Sequence, residues 1–287
     1  MSKIVVAGSL HYDIMLQAPH RPEKGETVIG SSCAYKFGGK GGNQAVSAAK
    51  SGAQVSFVGA VGADDPGRFL LAVLMENQVD TRHVEITSAA PSGMSVAIMD
   101  AEGDYGAVVV SNANNLIAPQ QLDQGNLWQD TGMLLLQNEV PEAINLVAAK
   151  QAKNHGALVC LNAAPARELS AQLQACIDLL VVNAVEARDL SGITVNDLQQ
   201  ACMAAEALSA SFKAVVVTAG EHGVAFCEAG SSSQSLPALK VELVSTHGAG
   251  DCFMGMLCAS LLQGQTLPQA VARANEAAAE HVSHPTR

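Results

Sequence analysis

Short runs of nearly continuous apolar residues alternate along this chain with stretches whose apolar positions recur at helical spacing. The runs are Lys3–Ala7, Gln54–Gly62, Met133–Gln137, Ala157–Asn162, Leu179–Asn183 and Ala214–Thr218. They do not alternate with polar residues, which predicts parallel strands covered on both faces. Between them, Asn43–Lys50, Pro66–Asn77, Pro141–Asn154 and Asn196–Ser211 read as helices. Further on, "LKVELVS" (239–245) reads as strand-like, and "GMLCASLLQG" as an apolar helix ending at Gly264. Strand and helix in alternation predict an α/β fold: a doubly wound, mainly parallel sheet flanked by helices.

Two regions break the alternation. Residues 12–36 carry Pro and Gly with no helical period, and residues 93–110 read as two strands joined by the turn "DAEGDY". Together they predict a small β-sheet beside the core, either a lid that excludes water from a reaction or a hairpin that only covers an edge. No internal repeat and no linker is visible, so residues 1–287 read as one domain.

Three glycine-rich stretches follow predicted strands. In "FGGKGGNQAVSAAKSGA" (37–53), four glycines surround Lys40 at the start of a helix. Such a turn brings backbone N–H groups close to a ligand, and a polyhydroxyl compound suits Lys40 and Asn43. It is not a nucleotide P-loop, because Gly41 stands where Ser or Thr is required. In "VSTHGAGDCF" (244–253), Gly248, Ala249 and Gly250 leave the amides of a helix start bare, which makes an anion site. Asp251 is a sensible helix cap there, and equally a carboxylate able to accept a hydroxyl proton beside a held phosphoryl group. "VTAGEHGV" (217–224) is a weaker signal, a glycine loop at a strand end. Asp13, Glu139, Asn183 and Glu186 also follow strands, where sites of open α/β sheets gather.

Composition narrows the classes. Aromatic residues are 3% of the chain and the formal net charge is -11, which argues against nucleic acid and anionic membranes as partners. The seven cysteines have no C-x-x-C spacing, which favours free thiols in a reducing compartment over zinc or disulfides. The apolar run in "MSKIVVAGSL" is too short for a signal peptide, and no segment reaches membrane-span length. The expectation is a cytoplasmic protein.

Taken together, "GGKGGNQAVSAAKSGA", "VGAVGADDPG" and "THGAGDCFMGML" resemble the two signatures of the ribokinase-like (PfkB) carbohydrate kinases, in the same order and spacing along almost the whole chain. "NAAPAREL" (162–169) and "NAVEA" (183–187) resemble the ribokinase branch. The resemblance implies ATP-dependent phosphorylation of a sugar hydroxyl with Mg²⁺, under a β-sheet lid that often mediates dimerisation. By position it implies Asp251 as catalytic base and Gly248, Ala249 and Gly250 as anion hole. It implies sugar contacts from His11, Asp13, Gly39, Lys40, Asn43 and Glu139. Asn183 and Glu186 match the polar pair near phosphate and magnesium, Glu186 acting on the metal indirectly. Thr218, Gly220, Gly223 and Asn275 match the nucleotide side.

Other readings are a nucleoside kinase of the same family, a non-catalytic sugar- or nucleotide-binding relative, and a nucleotide-dependent oxidoreductase. The last lacks G-x-G-x-x-G after the first strand. Three features depart from the family pattern. His11 stands where an Asn commonly touches the sugar, and Ser245 stands where an Asp helps hold a monovalent cation. The sequence ends at Arg287, before a loop that carries further cation ligands. Potassium activation is therefore expected to be weak or absent: adding K⁺ at constant ionic strength should leave turnover nearly unchanged, and a large rise contradicts this.

Overall fold

The computed structural model describes residues 2–102 and 105–283. Gly103 and Asp104 of the predicted hairpin turn, and residues 284–287, lie outside the described residues. The strands in chain order are β1 Lys3–Ala7, β2 His11–Gln17, β3 Ser32–Gly38, β4 Gln54–Gly62, β5 Asp80–Thr87, β6 Met94–Met99, β7 Tyr105–Val110, β8 Thr131–Gln137, β9 Leu158–Asn162, β10 Leu179–Asn183, β11 Ala214–Thr218, β12 Gly223–Glu228 and β13 Gln234–Pro237. The helices are α1 Lys40–Lys50, α2 Asp65–Glu76, α3 Pro119–Leu122, α4 Gly125–Trp128, α5 Glu142–Asn154, α6 Ala171–Gln174, α7 Ala184–Ser191, α8 Leu198–Ser209, α9 Ala249–Leu262 and α10 Leu267–Ser283.

Nine strands form the main sheet in the order β13-β12-β11-β10-β9-β8-β1-β4-β5. From β5 to β11 every neighbour is parallel, while β12 and β13 add antiparallel edges. Side chains of one strand alternate between the two faces. Val5 and Ala7 enter the core layer shared with Trp128 of α4, Ala148 of α5, Leu173 of α6 and Ala204 of α8. Ile4 and Val6 enter the opposite layer, with Ala45 of α1, Leu70 of α2, Leu257 of α9 and Ala274 of α10. Both faces are dry, which is why the central strands read as unbroken apolar runs. Each buried Val, Leu or Ile side chain contributes about 1.5–3 kcal/mol to that packing.

The chain runs from β1 outward to β4 and β5, then returns to place β8 on the other side of β1. The order reverses there, and in open α/β sheets such a switch point marks a crevice beyond the carboxyl ends of the flanking strands, here β1 and β8. The smaller sheet, in the order β3-β2-β6-β7, rises beside that crevice, because β2 follows β1 after only Gly8–Leu10. Tyr12 of β2 stacks on Tyr35 of β3 and meets Phe69 of α2 edge-on, both at 5.4 Å between ring centres. The Phe69 contact ties the lid to the main body.

The predicted helices appear with shifted ends; α1 begins earlier, at Lys40. One strand reading is corrected. Residues 239–245 form no strand, and Leu239, Val241, Leu243 and Val244 are exposed. The sheet edge is occupied by β13, just upstream, and the Val244 N–H turns away to the Val282 carbonyl at 2.8 Å on α10. Apolar alternation without a partner strand leaves the backbone unpaired, so the segment crosses to the helix instead. The edge strand β5 escaped the reading because "DTRHVEIT" is largely polar.

At the opposite end of the sheet, Asp178 is buried before β10. It accepts from the Val159 N–H at 2.9 Å, from Lys153 Nζ at 2.8 Å and from Lys213 Nζ at 2.7 Å. Burial pushes its carboxyl up, but the hydrogen bonds from both lysines and the Val159 N–H outweigh this and hold it below its ordinary value. A lowered folded-state pKa contributes stability at neutral pH that is lost as pH falls through that pKa. Asp178→Ala should therefore cost about 2 kcal/mol at pH 7, since it orphans a buried N–H. Denaturant unfolding should show the gap between wild type and variant shrinking in acid; a gap independent of pH contradicts the assignment.

Candidate active site

The first turn of α1 is pressed against the chain between β1 and β2. Gly39 has φ 88° and precedes the helix. A Cβ on it would lie 2.8 Å from the His11 nitrogen and from the Ser9 carbonyl oxygen. A Cβ on Gly41 would lie 2.6 Å from the Ser9 nitrogen. Glycine is required at both positions so that helix and strand-end backbone can touch.

That approach brings the bare amides of the helix onto two groups at the switch point. The Lys40 N–H donates to Glu139 Oε2 at 2.8 Å, and the Gly41 N–H donates to Ser9 Oγ at 3.3 Å. Ser9 Oγ in turn donates to Glu139 Oε2 at 2.5 Å. Glu139, just past β8, is thus an anion seated on a helix N-terminus. His11 is buried beside it, Nδ1 3.9 Å from Glu139 Oε2, and its Nε2 is buried without a hydrogen-bond partner among the described residues.

The lid supplies Asp13. In the parallel pairing of β2 with β6, Asp13 lies opposite Ser95, whose Oγ donates to Asp13 Oδ1 at 2.6 Å. Burial pushes the Asp13 carboxyl up; the Ser95 hydrogen bond and the charges of His11 and His247 oppose it, and Glu139 adds to it. His247 belongs to the loop before α9, so the lid and that loop face one site.

Asp251 sits in the first turn of α9, half-buried. Gly248, with φ 77°, precedes the helix and its carbonyl accepts from Cys252 at 2.9 Å. Ala249 N–H turns back to the Thr246 carbonyl at 3.3 Å, while Gly250 is exposed. Asp251 Oδ1 accepts from Gln44 Nε2 at 2.9 Å, and Oδ2 accepts from Asn43 Nδ2 at 3.3 Å. Surrounding protein pushes this carboxyl up, and Glu139 adds to that. The Lys40 charge and the bonds from Gln44 and Asn43 work against it. The loop leading into α9 is clasped by the end of α10. His281 Nε2 lies 2.8 Å from the His247 carbonyl, an acceptor that requires a ring N–H. Ser245 N–H donates to the Val282 carbonyl at 3.2 Å, and Ser245 Oγ accepts from the His247 N–H at 3.3 Å.

The other predicted residues line the neighbouring strand ends without touching Asp251. Asn183 and Glu186 close a capping box on α7: Asn183 Oδ1 accepts from the Glu186 N–H, and Glu186 Oε2 accepts from the Asn183 N–H at 2.8 Å. Glu186 is buried, which pushes its carboxyl up against the hydrogen bond from Asn183 and the charge of Lys40. Lys40 thus acts on both Asp251 and Glu186. Thr218, ending β11, donates to the Val182 carbonyl at 3.4 Å. Gly220 is exposed with φ 56°, and Gly223 starts β12. Asn275 of α10 donates to the Pro237 carbonyl at 3.0 Å.

The sequence reading missed Ser9, Gln44, Ser95, Asn162 and His281. Ser9 stood in plain view directly after β1. Gln44 adjoins Asn43 inside the glycine motif, but its partners are remote in sequence. Among the described residues no cluster of three or more His, Cys, Asp or Glu side chains is assembled that could hold a metal ion. Among the described residues no helix is long and apolar enough to cross a membrane.

Comparison with known proteins agrees with this fold. The sequence model of the pfkB family carbohydrate kinases matches residues 1–286. Ribokinase of Bacillus subtilis (strain 168) is 36% identical over 280 residues, covering 97% of this chain and 92% of the relative. Ribokinase of Haemophilus influenzae is 32% identical over 282 residues, covering 98% of this chain and 92% of the relative. The structure of Arabidopsis thaliana ribokinase complexed with ribose and ATP superposes with a TM-score of 0.91 at 27% identity, covering 100% of this chain and 94% of that one.

Proposed function

The chain belongs to the pfkB family of carbohydrate kinases and acts as an ATP-dependent carbohydrate kinase, and we propose that Asp251 is the general base for transfer of the γ-phosphoryl group to a sugar hydroxyl. The observation that carries this reading is the seat of Asp251: a carboxylate in the first turn of a glycine-led helix, held by two amide side chains, at the switch point of the sheet.

The sugar binds in the crevice under the lid, where Asp13, Glu139 and Asn43 offer hydrogen-bonding groups around Lys40, with Gly39 and His11 beside them. The arrangement suits a polyol, which donates to carboxylates and accepts from amide and ammonium groups. ATP lies along the C-terminal half, past Asn183, Glu186, Thr218, Gly220, Gly223 and Asn275; a related ribokinase has been crystallised with ribose and ATP. The sugar hydroxyl oxygen attacks the γ-phosphorus, the bond to the ADP oxygen breaks, and the hydroxyl proton passes to Asp251. Gly250, exposed at the helix start, with Gly248 and Ala249 beside it, would receive charge on the phosphoryl oxygens.

Mg²⁺ fits an indirect site. Both Glu186 oxygens are engaged by Asn183, and no cluster of metal-binding side chains stands ready among the described residues. Glu186 would therefore hold the ion through water, in keeping with the tendency of Mg²⁺ to retain its hydration. When bound, the ion neutralises charge on the nucleotide phosphates.

A homodimer through the lid belongs to the same reading. β7 is an edge strand, and Val108, Val109 and Val110 on it are exposed. Sedimentation should give twice the 29.6 kDa chain mass, and a single monomeric species at micromolar concentration counts against it.

A coupled ADP-release assay over ribose, other pentoses, fructose and nucleosides tests the substrate class; ligand binding with no ADP released from any of them would favour a non-catalytic relative. Asp251→Asn should lower kcat by about 10²–10⁴-fold with ATP binding retained. Because the Asp251 carboxyl is raised by its surroundings, kcat/KM should fall in acid from a pH above the ordinary aspartate value of about 3.9. Near-normal turnover of the variant rules the base out.

A further inference from the structure

We infer that Gln44 is a positioning residue for this reaction, a buried amide clamp that holds Oδ1 of Asp251 and leaves Oδ2 directed at the substrate hydroxyl. The inference rests on Asp251 being the base. Gln44 is fully buried on α1. Its Nε2 lies 2.9 Å from Asp251 Oδ1 and 3.0 Å from Asn162 Oδ1. Both partners are oxygens, so the side chain must present its two N–H groups to them, and the amide orientation follows from chemistry. Asn162, at the end of β9, is itself fixed by Nδ2 donating to the Val181 carbonyl at 3.2 Å. A continuous line thus runs from the backbone of β10 through Asn162 and Gln44 to the carboxylate. Oδ2 carries the longer 3.3 Å bond from Asn43 and is the oxygen more readily released to a ligand.

Packing alone does not account for the amide. Gln44 Oε1 is buried with no hydrogen-bond partner among the described residues, a cost that an apolar side chain of the same length would avoid. The residue is explained by its donor side, which faces the carboxylate. Two donors on the charged form favour ionisation against burial. The titratable groups acting on Asp251 are Lys40 on α1 and Glu139 after β8; Cys252 lies beside it on α9, where Lys50 of α1 also acts, and His247 in the loop before α9 acts on Asp13. Glu280 on α10 reaches Cys252.

The test is a set of pH profiles of kcat/KM with MgATP and the best acceptor of the sugar panel, on wild type, Gln44→Leu, Gln44→Glu and Asn162→Leu. A ¹³C-NMR titration of the Asp251 carboxyl runs in parallel and needs no substrate. In Gln44→Leu the acid limb and the NMR midpoint should both move up by about one pH unit, and kcat should drop about tenfold or more with KM changed less than threefold. Gln44→Glu should move them further, and Asn162→Leu in the same direction but less. Thermal melts confirm folding; if Gln44→Leu does not fold, the other two variants carry the test. A folded Gln44 variant with both midpoints unmoved, alongside an inactive Asp251→Asn, overturns the clamp and leaves the base reading intact. An active Asp251→Asn overturns both.

Discussion

Asp13, Glu139, Glu186 and Asp251 share one end of the sheet, and offsetting the burial that raises Asp13, Glu186 and Asp251 is the constraint on which the rest of the site depends. Glu139 raises both Asp13 and Asp251, and burial raises Asp13, Glu186 and Asp251. Against this stand the charge of Lys40, the amides of α1, the side chains of Asn43, Gln44 and Asn183, and the Ser95 hydroxyl. An incoming polyphosphate adds still more negative charge to a chain already at -11. On the proposed reading, the helix start at Gly248–Gly250 supplies fixed positive potential where that charge arrives, without adding an exposed cation to the surface.

The glycines are the geometric counterpart of this electrostatics. With glycine at 39 and 41, α1 can press against the strand-end backbone at Ser9 and lay its first amides on Ser9 Oγ and Glu139. The lid obeys the same economy. β2 leaves β1 after three residues, so Asp13 is delivered to the crevice by the strand that begins the small sheet. Its pairing with Ser95 of β6 then decides where the carboxylate points.

Much of this was legible in the amino-acid order, for local reasons. Dry strands show as unbroken apolar runs, helix starts as small residues after a strand, and the lid as the two regions where the alternation fails. The strand-end rule points to Glu139, Asn183 and Glu186, whereas Asp13 lies within β2 of the small sheet. The failures were local too. Residues 239–245 alternate like a strand but find no neighbour, and β5 is an edge whose polar face hid it. Periodicity describes what a segment prefers, whereas a strand exists only when another segment satisfies its backbone.

The sequence by itself determined the α/β class, the alternation of the central strands and helices, the two glycine-led helix starts and the candidacy of Asp251. Only the tertiary structure decided what Asp251 touches. Gln44 and Asn43 approach it across more than two hundred intervening residues, Asn162 backs Gln44 from the centre of the sheet, and His281 steadies the loop before it. Those meetings are set by the packing of α1 and α9 on one face of the sheet. Hydrophobic burial drives that packing without direction, so the polar pairs it brings together leave no periodic trace in the chain.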